Sequence, residues 1–353
     1  MCLGILYSDH TPVSYGPGGF LLEDLWTRSF LRPNSQLRIL HSRGLIIKNG
    51  SRAKRIIEFE NYYNLINGYK DLFIDKSYAG TDEKYKKDTN FNEIYALYLF
   101  DRELRSLFLR YILEIENNLK SIIAHEFSNR YGHDNYLKIS NFDTTVKKRE
   151  GKKTDAQKHG EIADIIASLQ RKISNQLKKN SPMISHHVLT YGYVPLWVLI
   201  NTLSLGTVSI FYSYLKQQDQ NNIGRKFLLK PEELSKFLFI LAIFRNACAH
   251  DERFYNLKSR KKNGSPNSIK DTTIHTSLGI SKNASNNFTC GKNDLFAIVI
   301  ILKLMLPKSS FNKFISSIKV LFEKLDKELS TITLDEVKVQ MGFPSTWQNI
   351  TKL

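Results

Sequence analysis

Apolar residues recur along this chain at intervals of three and four from Asn34 onward, and strict alternation of apolar and polar positions is scarce. That periodicity predicts helices. Residues 35–47 and 51–69 read as two helices, the first closed by Gly44. Residues 91–131 read as one long amphipathic stretch, with Leu104, Leu107, Phe108, Tyr111, Ile112, Ile115, Leu119, Ile122 and Ile123 at helical spacing. Helical segments 161–178, 194–215, 231–249, 294–306 and 309–329 follow. The expected fold is all-α, a helical bundle over 91–353 with a helical extension over 34–90. Residues 1–33, with the loop-like Tyr15-Gly16-Pro17-Gly18-Gly19, form an N-terminal segment of unknown role.

Two polar stretches break the pattern and read as flexible basic insertions. One lies near 144–160 and carries Lys147, Lys148, Arg149, Lys152 and Lys153; the other, 258–292, carries Arg260, Lys261 and Lys262. These cations are candidate contacts to an RNA backbone, and solvated loops of no specific role are an equal reading. Residues 191–215 hold no charge and are long enough to span a bilayer, but Pro195, Asn201 and Gly206 make a buried helix-turn-helix the better reading. With no signal peptide and no membrane span expected, the expected compartment is the cytoplasm.

Charge adds a constraint that periodicity does not. The 353 residues are 42% hydrophobic, an ordinary globular composition, yet the net charge is +17. Such a balance favours a polyanionic partner. Cys2, Cys248 and Cys290 are too few and too scattered for a disulfide framework or a zinc site. His125, His133, His186 and His187 lack partners at metal-ligand spacing, so neither a metal nor another cofactor is assigned.

The most informative stretch is 237–250. An uncharged apolar run ends in Arg245-Asn246, and His250 follows four residues after the Asn. Polar groups at the end of a buried helix are costly unless they are paired or used. Asn246 and His250 share a helix face, whereas Arg245 lies about 140° round from His250. Arg245 therefore curls back or the helix frays, or the two meet residues of a second copy. Together they supply a phosphate-binding cation, an amide and a proton carrier, a set suited to metal-free RNA cleavage. A structural ion pair and a plain helix-end histidine are the bland alternative. Cys248 lies two residues from His250 and faces elsewhere, which makes it a small core residue rather than a nucleophile. Tyr62, Tyr63 and Tyr69 can stack on bases, but core packing fits their spacing better.

Arg-Asn-x-x-x-His resembles the Arg-x4-to-6-His signature of HEPN ribonucleases, and nearly the whole chain resembles the AbiD/AbiF-type abortive-infection proteins of bacteria. The resemblance runs through 40–47, 59–69, 97–105, 194–197, 205–209, 251–256 and 341–347. It implies a HEPN-like bundle and a metal-independent endoribonuclease of antiphage defence that cleaves RNA by 2′-hydroxyl attack. His250 would move protons, Arg245 would offset phosphate charge and Asn246 would position. Glu116, in a Glu-x-x-x-Lys pattern with Lys120, would orient Arg245, an exposed glutamate on an amphipathic helix being an equal reading, and Arg253 would support the site. Two such domains pool their motifs in the resembling family, so a single motif implies a homodimer. A bound structured non-coding RNA is a further expected partner. A non-catalytic structured-RNA-binding protein and a toxin–antitoxin component are the competing readings.

Overall fold

The computed structural model describes residues 31–146, 151 and 153–353. Among them the architecture is all-α, with isolated bridges in place of a sheet. In chain order the helices are α1 (Pro33–Ser42), α2 (Gly50–Glu60), α3 (Phe91–Tyr131), α4 (Asp155–Lys178), α5 (Pro182–Tyr191) and α6 (Leu196–Leu199). After them come α7 (Leu205–Tyr214), α8 (Gln217–Arg225), α9 (Pro231–Ala249), α10 (Thr273–Ser277), α11 (Leu295–Met305), α12 (Lys308–Asp326) and α13 (Leu334–Gln340). No described helix is long and apolar enough to cross a membrane.

The spine is α3, 41 residues long. Asn90 caps it by accepting from the backbone of Asn92 and Glu93, and the Glu93 side chain answers to the Asn90 backbone. Leu104, Phe108, Ile112, Ile115, Leu119 and Ile123 are fully buried along its length, at the spacing the sequence predicts. Around it stand α6, α8, α9, α11 and α12. Glu93 also accepts from the Ser330 and Thr331 backbone (2.7 and 2.6 Å), which ties the chain after α12 to the start of the spine. Burial opposes charge on Glu93, but these donors prevail and hold its carboxyl below its usual range.

The structure adds the unpredicted helices α5, α8 and α13, ends α1 at Ser42, and departs further from the expected elements in three places. The helix expected over 51–69 breaks at Asn61, whose φ of +61° is left-handed and whose Oδ1 accepts from the Tyr63 backbone. A single wide turn, Tyr63–Asn67, follows, and Leu40, Leu65, Ile66 and Phe73 enter the same core as the spine. The helix expected at 161 starts at Asp155, because Thr154 and Gln157 form a capping box there. The stretch 258–292 is a folded piece rather than a loose insertion. Ile269, Ile274, Leu278, Ile280 and Phe288 join the core, and buried His275 has Nε2 donating to the Gly291 carbonyl (2.9 Å). These apolar residues are spaced too irregularly to show a period, so the polar residues between them dominated the sequence pattern.

The spine and α9 run antiparallel, fastened at the C-terminal end of α9 by one buried carboxylate. Asp101 accepts from Tyr69 Oη (2.6 Å), from the backbone of Phe254 (2.9 Å) and Tyr255 (2.6 Å), and from Arg105 (2.8 Å). Arg105 reaches on to Asp251 and to the Glu252 carbonyl (3.0 Å). Burial pushes the Asp101 carboxyl up, and these donors pull against it. Asp251 has a left-handed φ of +56°, and the Glu252 N–H returns to the Ala247 carbonyl, closing the helix.

Removing Asp101 takes one carboxylate from Arg105 and strands Tyr69 and two backbone donors in the core. Asp101→Ala is expected to cost about 3–5 kcal/mol, whereas Tyr69→Phe, which removes one donor, costs about 1 kcal/mol. Denaturant unfolding of the two variants checks the ranking; equal losses would show that Asp101 is not the centre of this network.

Candidate functional site at the end of helix α9

The end of α9 carries the Arg-Asn-x-x-x-His residues because most of the apolar run before them, Phe237, Leu238, Ile240, Leu241 and Phe244 included, is buried against α3, α7 and α11. Past Phe244 the helix emerges. Arg245 and Asn246 are half-buried, and His250 is the exposed residue that ends the helix.

Arg245 turns toward α3. Its Nε lies 3.4 Å from Glu116 Oε2, and Glu116 Oε1 accepts from Lys120 at 2.6 Å. Glu116 and Lys120 are both buried, so one carboxylate is shared between two cations, which offsets the cost of its burial. Arg245 Nε and Glu116 Oε2 face each other as an ion pair but have no hydrogen-bond partner. The terminal amino groups of Arg245 have no protein partner among the described residues, and 28% of the side chain is exposed. A guanidinium held along one edge with its fork open presents paired donors to an anion.

His250 points elsewhere. No hydrogen bond or ion pair joins it to Arg245 among the described residues, in keeping with their separation around the helix; its backbone N–H donates to the Asn246 carbonyl (3.0 Å). Asn246 brings its amide to the same end of the helix. Cys248 packs against the core, and burial pushes its thiol up to about 12, which leaves it a poor nucleophile.

Other sequence candidates fall into different places. Arg253 donates through one amino group to the Gly68 carbonyl (2.7 Å) and to Asp71 (3.0 Å), which fastens the turn after α2 and leaves the side chain partly exposed. Tyr69 is buried in the Asp101 network, Tyr62 is half-buried and Tyr63 is exposed. Lys147, Lys148, Arg149 and Lys152 lie outside the described residues. Lys153 pairs with Glu161 (2.8 Å). Arg260, Lys261 and Lys262 are exposed on a tight turn beside the first half of α9, because the chain doubles back along the helix. They are not adjacent to His250 as their sequence position suggested. Among the described residues no three His, Cys, Asp or Glu side chains gather as a metal cage.

Asp101, Arg105 and Asp251 are the residues whose part the sequence reading missed. Asp101 and Arg105 stand four apart on the buried face of an amphipathic helix, and two charges at apolar-face positions were the available signal.

The stretches 59–69, 97–105, 237–250 and 251–256 thus meet at one end of α3 and α9. Comparison with curated proteins and with solved structures finds no match. A family profile described as Abi-like protein matches residues 55–256, which takes in all of these stretches. Since that match covers more than half of the chain, the chain belongs to the Abi-like protein family, the abortive-infection proteins of antiviral defence.

Proposed function

We propose that this protein is a metal-independent endoribonuclease of antiphage defence, a HEPN-like enzyme acting on RNA as a homodimer in the cytoplasm. The observation that carries the reading is the setting of Arg245: Glu116 holds its Nε edge, its amino groups are open, and His250 ends the same helix in solvent.

The chemistry follows from RNA itself. The 2′-oxygen forms a new bond to phosphorus as the P–O5′ bond breaks; the 2′-hydroxyl loses a proton and the leaving O5′ gains one. The products are a 2′,3′-cyclic phosphate and a 5′-hydroxyl. Arg245 offsets charge on the non-bridging oxygens, His250 moves a proton and Asn246 positions the phosphate or the ring. Glu116 and Lys120 act through Arg245 as positioning residues. Each chain supplies one such histidine, while the reaction needs both a base and an acid. A two-fold pair of α9 ends supplies the second.

A non-catalytic RNA-holding role is the second reading, and one observation favours it. Among the described residues no hydrogen bond or ion pair holds the exposed His250 ring, a contact that a general base commonly has.

Wild type is expected to cut mixed RNA in excess EDTA and to leave cyclic-phosphate ends. Arg245→Ala and His250→Ala should each lower cleavage by about 10²- to 10⁴-fold, with His250→Ala unfolding like wild type. Cleavage that survives both substitutions would sink the assignment, and retention of RNA by all three proteins without cleavage would favour the holding role.

Glu116→Gln keeps the shape and removes the charge. It should slow cleavage by about 10-fold, mainly in kcat, because Arg245 is then aimed less firmly. Sedimentation should give twice the chain mass at concentrations that cleave. A cleaving monomer is the result that would refute the paired site.

A further inference from the structure

The motif end of the molecule is nearly balanced in charge. Arg105, Lys120, Arg245 and Arg253 each face a carboxylate: Asp101 and Asp251, Glu116, Glu116, and Asp71. Away from that end, one cleft gathers four cations beside a single acid. The cleft lies over the first half of α9, between the start of α8 and the turn that carries Arg260 and Asn267. Its volume is about 550 Å³, within the range of pockets that hold a small ligand.

Four cations line it: Lys236 from α9, and Arg260, Lys261 and Lys262 from the turn; Glu232 is the acid in its lining. Among the described residues none of the four pairs with a carboxylate. Arg260 spends one N–H on the Gly264 carbonyl (3.1 Å), and Lys236 is held by the Asn267 side-chain oxygen. Burial lowers the Lys236 pKa, and repulsion from Lys261 adds to it. Cations crowded in this way are relieved by a bound anion. One helical turn beyond Lys236, Phe239 presents its ring to the same cleft with 52% of its surface exposed, on a helix whose neighbouring aromatics are buried. Gln217 adds an exposed amide at the wall.

We propose that this cleft binds one nucleotide unit, with its phosphate at Lys236, Lys261 and Lys262 and its base against Phe239. Base stacking on an exposed ring and cations on the phosphate are the two halves of nucleotide recognition at single strands. The same chemistry is offered by a free nucleotide and by one residue of an RNA strand. Lys236 stands about 14 Å along the helix from Arg245 and about 21 Å from His250, so the cleft is separate from the motif end. The inference goes beyond the nuclease reading and does not require it, since a nucleotide binds here whether or not His250 cuts RNA.

The test uses the full chain carrying His250→Ala, so that binding is read without cleavage. AMP, inorganic phosphate and a 5′-phosphorylated oligoribonucleotide are titrated at two salt concentrations by calorimetry. Lys261→Glu with Lys262→Glu should weaken every ligand that binds by at least about 10-fold, in a salt-dependent way. Phe239→Ala should weaken AMP or the oligonucleotide by about 10-fold and leave inorganic phosphate unchanged. Binding of AMP alone identifies a free nucleotide as the source, and binding of the oligonucleotide without AMP identifies an RNA strand; each supports the cleft. All substituted residues are at the surface or partly so, and thermal melting confirms the fold of each variant. The proposal is overturned if neither AMP nor the oligonucleotide binds, or if binding is indifferent to both substitutions. Neither result bears on cleavage by the unsubstituted protein.

Discussion

Burying a carboxylate among apolar helices is tolerable only if donors surround it, and Asp101 draws four of them, three to one oxygen and one to the other. Tyr69 comes from the turn after α2, Arg105 from the spine, and the Phe254 and Tyr255 amides from the chain leaving α9. Because each donor is fixed by the same pair of oxygens, the register of α9 against α3 is fixed too. That register sets Arg245 opposite Glu116. The candidate site is thus a consequence of a structural carboxylate about fifteen residues away along the spine, which itself has no chemical part in the proposed reaction.

Two kinds of positive charge are separated by this arrangement. Around the motif, cations are matched to carboxylates and are held still, which suits a group that must meet a phosphate in one geometry. Over the first half of α9 they are unmatched, which suits attraction over distance and adds affinity rather than precision. A single helix carries both, with a buried apolar run between them that makes it a stiff connector.

Periodicity made most of the fold legible. The capped and closed helices, α3 and α9 above all, stand where the apolar spacing put them, since local caps and burial agree there. The pattern failed where one residue or a few scattered ones outweigh it. Asn61 stops α2 by adopting a left-handed conformation that composition does not reveal, and the core residues of 258–292 are hidden among Ser, Asn and Lys. The site was legible as a set of residue types and only partly as a geometry. Spacing correctly set Arg245 and His250 on different sides of the helix. It could not tell that Arg253 is occupied by Gly68 and Asp71, because those partners lie far away in sequence. Nor could it tell that Arg260–Lys262 fold back along α9, because a chain reversal leaves no trace in charge counts.

The contacts of Arg253 with Gly68 and Asp71, beside that of Tyr69 with Asp101, have an evolutionary consequence. They make the turn after α2 and the exit from α9 two halves of a latch whose parts are encoded more than 180 residues apart. The two halves are not free to drift separately: a change of length or angle in one must be answered in the other. Of the long stretch between them, α3 is bound by the same constraint, because the spacing from Asp101 to Glu116 sets Arg245 in place. A chimera joining the first ninety residues of one relative to the remainder of another would therefore inherit mismatched halves. Its fault would show first in the placement of the arginine and histidine, while most of the bundle stayed folded.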